Sequence, residues 1–301
     1  MPVYLINRPE RTPGNQPRGH VEVNAGSPHA RGLVFWAPGP GTHVYCHSLA
    51  LGARRSIYGD PKGGIGGRRT GLCLSFDHDG TDDRIDYPYY GYDTALGFTI
   101  TAWVLSAELV PTLPRYSWCS HLFGDAAVGG IVFQFGDGAA SGQIGCTINR
   151  NTSAMQRVTQ DGFVADGVWQ HVAVSYNGGT AATGINIYNN AVVSASYSVS
   201  SNGSGAVLSQ TGTHSIGGRI FDDARNWYGG IADTRVYNRV IPAEELQTMV
   251  RPESRWDLYW QPSNRVYFNV SLGGYTPDPA SVSFAGLSAG LRYQINMPDE
   301  A

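Results

Sequence analysis

The chain has 301 residues and a formal net charge of −3, so its electrostatics favour neither nucleic acid nor an anionic membrane surface. Its 39 glycines, near twice the usual share of about 7%, and its 17 prolines mark a globular, turn-rich, β-leaning protein with enough hydrophobic residues (42%) for a core. No stretch approaches the roughly 20 apolar residues needed to span a bilayer.

Residues 1–20, MPVYLINRPERTPGNQPRGH, are rich in Pro and Arg and show no periodicity, which predicts an extended arm ordered only where it lies on something. They also lack the apolar run of a secretory signal, so synthesis in a cytoplasm without export by that route is expected. RGLVFWAPG (31–39) predicts a short apolar strand. The Gly-rich stretch that follows contains PKGGIGGRR, a loop by its punctuation. GLCLSFDHDGTDDRIDYP (71–88) predicts strand, acidic turn, strand. FTITAWVLS (98–106) alternates Phe98, Ile100, Ala102 and Val104 against Thr99, Thr101, Trp103 and Leu105. GGIVFQFGDG (129–138) and GQIGCTINR (142–150) are expected to pair through Gly-Asp-Gly. GVWQHVAVSYNGG (167–179) and TGINIYNNAVVSASYSV (183–199) form a further pair, and THSIGGR (213–219) leads on to YGGIADTRVYNRVIPAEELQTM (228–249).

That last segment changes period halfway. Ile231, Asp233, Arg235 and Tyr237 fall on one face of a strand, with Ala232, Thr234, Val236 and Asn238 on the other. A short helix follows. Pro242 suits its first position, Glu244 and Glu245 its negative first turn, and Leu246, Met249 and Val250 share a face. Strands at this spacing with no βαβ rhythm predict an all-β, two-sheet antiparallel sandwich. After Trp260 two strand-like runs are broken by GGYTPDP, and no charged residue stands between Arg265 and Asp278. This piece is too small to bury a core of its own. The expected organisation is therefore an arm at 1–20, a sandwich domain at 21–261 and a β-rich extension for assembly at 262–301.

The motifs GLVFW, LSFDHDGTDDRIDYP, FTITAWV, GVWQHVAVSYNGG, NIYNNAVV, HSIGGR and the strand–helix segment occur in order over roughly residues 31–252. Together they resemble the laminin-G-like members of the concanavalin A-like jelly rolls. The resemblance implies a jelly roll whose final strand runs into one short closing helix. The sequence departs from the family pattern in three places. Phe-Asp-Gly is stretched to Phe76-Asp77-His78-Asp79-Gly80, and Ile241 stands where the helix-capping serine is expected. Ile-Asp-Glu becomes Ile231-Ala232-Asp233, which moves the carboxylate by one residue and, in a regular strand, to the opposite face. ESRWDLYWQP, followed by TPDPASVSFAGLSAGL, looks like the C-terminal parts of virion-associated proteins of tailed phages. This second resemblance implies a capsid decoration or fibre-like subunit on the virion surface, made in the host cytoplasm. It would be bound to a major capsid or tail protein as a homo-oligomer. A glycan- or receptor-binding adhesin is the alternative.

The residues that carry chemistry point the same way. Glycoside hydrolysis needs two carboxylates about 5–9 Å apart. The Glu-x-Asp-x-x-Glu string of hydrolytic relatives is absent, and none of the seven glutamates falls on a central strand. No catalytic residue is therefore assigned. Asp77, Asp79, Asp82 and Asp83, with Asp86 beyond them, are the candidate ligands for Ca²⁺, whose oxygen coordination suits an acidic turn. Asp233 is expected to pair with an arginine, Arg235 or Arg219. Asp222, Asp223, Arg225, Asn226 and Trp227 form the candidate glycan loop, offering a ring for stacking and polar groups for hydroxyls; Tyr89, Tyr90 and Tyr92 are further aromatics. His43, Cys46 and His47 lack a second ligand pair for zinc. Trp169 and His171 face the same side of their strand, and the laminin-G-like resemblance implies that both are packing residues. Cys46, Cys73, Cys119 and Cys146 are expected as free thiols, with a Cys119–Cys146 bridge across neighbouring strands as the alternative.

Overall fold

A computed structural model describes residues 22–37, 45–46, 56–58, 62–63, 74–76, 84–88, 96–106, 116–121, 130–135, 142–206, 213–218, 227 and 229–260. The first half of the chain contributes strands β1 (Glu22–Val23), β2 (Leu33–Ala37), β3 (Tyr45–Cys46), β4 (Ser56–Tyr58), β5 (Lys62–Gly63), β6 (Leu74–Phe76), β7 (Arg84–Pro88), β8 (Phe98–Ser106), β9 (Tyr116–His121), β10 (Ile131–Phe135) and β11 (Ile144–Ile148). The second half adds β12 (Met155–Thr159), β13 (Gln170–Tyr176), β14 (Ile185–Asn189), β15 (Val192–Val193), β16 (Tyr197–Ser201), β17 (Thr213–Ile216), β18 (Gly229–Tyr237), helix α1 (Ala243–Val250) and β19 (Tyr259–Trp260). The expected all-β architecture is present: two antiparallel sheets in a sandwich, with one short helix near the C-terminal end.

One sheet runs β16-β12-β11-β10-β9-β17-β7-β4, and the other runs β15-β14-β13-β8-β18-β2-β3, with β6 and β5 added beside β18. Alternation decides which residues meet between them. Phe98, Ile100, Ala102 and Val104 of β8 face Ile131 and Phe133 of β10 and Ile144, Cys146 and Ile148 of β11 in one continuous core. β10 and β11 pair as expected, with Phe133 opposite Cys146. β13 and β14 pair too, but the chain after Val193 leaves that sheet, and β16 joins the other one. The 71–88 segment likewise divides: β6 pairs with β18, whereas β7 pairs with β17 and β4, so its two strands lie in different sheets, and the residues between them lie outside the described ones. Lys62–Gly63, expected within a loop, pairs with Leu74 and Ser75.

The sheet containing β8 and β18 is buried on both faces. Its outer face is roofed by α1 and residues 251–260, whose Leu246, Met249, Trp256, Leu258 and Tyr259 pack on Leu33, Trp36, Ala173, Tyr188 and Tyr237. An eight-residue helix is marginal in isolation, and burial of Leu246 and Met249, about 1.5–3 kcal/mol each, is what holds it. Pro242 occupies the cap position rather than the first helical one and supplies no side-chain cap. Ile241 is not the cap residue; it lies fully buried, and its backbone N–H donates to Thr99 Oγ1 at 2.9 Å. Thr99, on the outer face of β8, passes its own hydroxyl hydrogen to the Arg239 carbonyl at 2.8 Å.

Strand β18 breaks the predicted facing pattern. Its register against β8 shifts between Ala232 and Arg235, and Asp233 has φ +54°, a left-handed conformation that aspartate tolerates better than most residues. The extra residue of this bulge resets the alternation. Ile231 faces the inter-sheet core with Val236, whereas Ala232 packs on Trp103 and Tyr237 joins the outer cluster. Ile231 therefore does not share a face with Asp233, Arg235 and Tyr237. Asp233 is not moved to the face opposite Ala232 either; both look outward.

The cysteine bridge is excluded by the same registers. Cys119 and Cys146 both stand opposite Phe133, one on each side of β10. Two strand spacings separate them by about 9–10 Å, beyond the reach of a disulfide. Cys146 is a free, buried thiol, and burial pushes its pKa up.

Candidate functional site

The two outer faces of the sandwich carry different chemistry. The outer face of the eight-stranded sheet holds a row of register partners: Ser201, Gln156, Thr147 and Val132 in one half, Ser215 and Asp86 in the other. All but Val132 are polar, because the residues between them supply the core on the other side. In β7 this means Ile85 and Tyr87 point inward while Arg84 and Asp86 share the outer face. Arg84 Nε lies 3.3 Å from Asp86 Oδ1, and both side chains are largely buried. Ser215 donates to the Gly218 carbonyl at 2.5 Å. Ser215, Val132 and Gln134 lie deep in the sheet, whereas Thr147 and Gln156 are half-exposed. Its accessible part, Thr147, Gln156 and Ser201, offers hydroxyl and amide donors and acceptors, and Arg84 and Asp86 form one buried, charge-balanced pair. That inventory suits hydroxyl-rich ligands. Among the described residues Asp86 is the one carboxylate on it, and an arginine neutralises that charge.

The second polar cluster sits under α1 on the opposite side. Asp233 Oδ1 accepts from Trp36 Nε1 at 2.7 Å, Arg235 Nε at 3.0 Å and Tyr259 OH at 3.0 Å, and Oδ2 accepts from Arg235 Nη2 at 2.6 Å. Arg235 Nη2 also donates to the Arg255 carbonyl at 3.2 Å. Burial alone would lower the pKa of Arg235; the Asp233 carboxylate, with Tyr237 and Tyr259 beside it, raises it above its ordinary value. The expected Asp233–Arg235 pair is thus present, fully buried, with its acceptor atoms taken by protein donors. It ties β2, β18 and residues 255–259 together.

Around it, His171 stacks edge-on against Trp103 at 5.4 Å between centroids, and Arg255 lies 4.7 Å over the Trp103 ring. Trp169 closes the group and presses its indole on Gly230, where a Cβ would come within 2.8 Å of ring carbon. Trp169 and His171 pack as expected. Burial first, then the positive charges of Arg235 and Arg255 and the nearby His29, brings His171 down to about 3 from 6.5. His29 is also lowered to about 3, by burial and then by Arg235 and Arg239. Its Nε2 lies 2.8 Å from Thr248 Oγ1, whose hydrogen is directed to the Glu245 carbonyl at 2.7 Å, so Nε2 is the protonated nitrogen of a neutral ring.

Of the residues singled out from sequence, Asp77, Asp79, Asp82 and Asp83 lie outside the described residues, as do Asp222, Asp223, Arg225 and Asn226 and the tyrosines 89, 90 and 92. Asp86 belongs to β7 and is paired with Arg84. Trp227 corrects its assignment as an exposed stacking ring: it is 1% exposed and packs in the inter-sheet core. In a two-layer protein a large ring close to β18 gains more from the core than from solvent. Among the described residues no group of three His, Cys, Asp or Glu side chains is placed to hold a metal ion, and no helix is long and apolar enough to cross a membrane. The polar row was missed from sequence, although its signal is present in β7: Arg84-Ile85-Asp86-Tyr87 alternates polar and apolar.

Residues 79–247, more than half of the chain, match the family profile described as concanavalin A-like lectin/glucanases superfamily. No curated protein matches the chain significantly. Among solved structures, the receptor-binding domain of a botulinum neurotoxin C/D mosaic serotype superposes with a TM-score of 0.53 at 12% identity, over 73% of this chain and 51% of that one. The binding domain of botulinum neurotoxin serotype D gives 0.52 at 11% identity, with 73% and 51% covered. The chain thus spans about half the length of these structures, and at such identities the likeness shows the fold.

Proposed function

This chain belongs to the concanavalin A-like lectin/glucanase superfamily, and from that premise we propose that it is a non-enzymatic recognition subunit of a tailed-phage virion. In this reading one side of the sandwich attaches to a capsid or tail protein, and the other binds a surface glycan. The carrying observation is the β1–β19 ladder, which pairs Glu22 with Trp260 and Val23 with Tyr259. Glu22 and Trp260 therefore lie side by side. They lie on the helix-covered side, since Tyr259 and Val23 pack in the cluster beneath α1. The polar row of the eight-stranded sheet faces the other way. A subunit anchored by both ends would present the accessible end of that row, Thr147, Gln156 and Ser201, outward, as a glycan-binding face requires. Among the described residues the single carboxylate on that face is held by Arg84, which supports binding over hydrolysis, since hydrolysis needs a pair.

A glycan array probed with the full chain tests the reading. Binding to at least one surface polysaccharide is expected, lost on Thr147→Trp, which blocks the row at a half-exposed position while leaving the unfolding midpoint in place. Reducing-end release from any bound polysaccharide, or binding that ignores Thr147→Trp, overturns it.

A further inference from the structure

The chain contains two Asn-Gly pairs, Asn177-Gly178 and Asn202-Gly203. In such a pair the glycine nitrogen can close on the side-chain amide that precedes it, because no Cβ obstructs the approach. The fold withdraws one of the two from that chemistry. Asn202 Oδ1 accepts from the Ala182 N–H at 2.8 Å, and the Gly203 N–H donates to the Thr180 carbonyl at 3.1 Å. Gly203 is buried, and a Cβ on it would stand 2.6 Å from Arg150 Cδ. Neither the Asn202 side chain nor the nitrogen beside it is at liberty.

Asn177, the exposed residue that follows β13, is arranged differently. Its backbone N–H donates to the Gly184 carbonyl at 3.1 Å, and its Oδ1 accepts from the Gly179 N–H at 3.0 Å. A Cβ on Gly184 would fall 2.2 Å from that Oδ1, so the side chain lies against the Gly184 backbone. Between these anchored groups the Gly178 N–H has no acceptor among the described residues. Gly178 itself has φ +84°, a left-handed conformation that glycine adopts without strain. The turn therefore fixes the amide carbon, leaves the adjacent nitrogen unengaged and sets a donor on the oxygen that takes up charge during attack.

We propose that Asn177 is a site of spontaneous covalent modification, at which the folded chain converts its own asparagine to aspartate and isoaspartate while Asn202 is spared. The Gly178 nitrogen gives its proton to solvent hydroxide and bonds to Asn177 Cγ, with the Gly179 N–H stabilising the negative charge on Oδ1. The Cγ–Nδ2 bond then breaks, and the side-chain nitrogen takes a proton from water and leaves as ammonia. A five-membered succinimide ring remains. Water opens that ring at one of its two carbonyls, giving aspartate or, at the other, isoaspartate. The product places a new carboxylate in a turn whose Gly179 carbonyl accepts from Arg150 Nη1 at 3.0 Å.

The inference goes beyond the recognition reading and is independent of it, since glycan binding is read on an array and this conversion by peptide mass. The full chain is held for days at neutral and at mildly alkaline pH, then digested with chymotrypsin and mapped by tandem mass spectrometry. Cleavage after Tyr176, Tyr188 and Tyr197 puts the two asparagines on separate peptides. Asn177 is expected to show the mass gain of an amide replaced by an acid about tenfold faster than Asn202, and faster at the higher pH. The chain unfolded in guanidinium chloride should convert both at similar rates, because the difference belongs to the fold. Equal rates in the folded chain, an intact Asn177 where the unfolded chain converts, or a difference that survives unfolding overturns the proposal.

Discussion

Asp233 and Arg235 show how a buried ion pair stands or falls as a unit. Four donors converge on one carboxylate, and the guanidinium has given up water to meet it. Asp233→Asn keeps the shape and tolerates the left-handed backbone, yet leaves Arg235 buried without its counter-charge. A loss of about 3–5 kcal/mol in urea unfolding is expected, partly recovered in the double variant with Arg235→Met. Equal stability of Asp233→Asn and wild type would remove the pair from the account of this face. His171 and His29 lie in the same region, and their effect has a definite sign. Both have pKa values lowered from 6.5 to about 3 in the folded state, so the unfolded chain binds their protons more readily. Their stabilisation is complete above pH 6.5 and is lost progressively as pH falls toward 3. At pH 4.5 each is expected to cost roughly 2–3 kcal/mol relative to pH 7.5, from about 1.36 kcal/mol per unit. His171→Phe should flatten the dependence of the urea midpoint on pH; an unchanged slope would assign acid sensitivity to other groups.

At the scale of elements, β18 and α1 show what local pattern conveys and what it omits. The switch from strand to helix near Pro242 is written in the residues: alternation ends, acidic residues gather in the first turn, and Leu246 and Met249 fall on one side. The bulge is not written there: Asp233, Thr234 and Arg235 are three polar residues in a row, and nothing in that string says at which of them the register against β8 slips. Position 241 is a second case. Family pattern makes it a cap site, whereas the packed structure makes it an anchor, 0% exposed. The two readings predict opposite outcomes. Ile241→Ser should lower stability by about 2–5 kcal/mol through the lost side chain. Pro242→Ser, at the true cap, should change it by less than about 1 kcal/mol, a new cap offsetting the lost rigidity. A stabilising Ile241→Ser would restore the cap reading.

For the whole molecule, the sandwich separates two surfaces that the sequence mixes together. Charged and polar residues at Asp86 and Asp233 look alike in the string; one lies on the outer face of the eight-stranded sheet, and the other under the helix on the far side. The all-β class, strands β8, β10, β11, β13, β14, β17 and β18 and the closing helix were legible in the sequence, because periods of two and 3.6 are properties of neighbouring residues, whereas β9 and β12 were not read. The packing roles of Trp169 and His171 followed from the family resemblance, and both side chains do pack around Trp103. Trp227 was not readable, since an aromatic in a polar loop sequence is the same letter whether it turns to solvent or into the core. The partition of 71–88 and 183–199 between two sheets, the separation of Cys119 from Cys146 by β10, and the meeting of Glu22 with Trp260 are contacts between distant parts of the chain. Local propensity sets which segments become strands; only burial of both layers against each other decides which strands become neighbours and which faces remain for a partner.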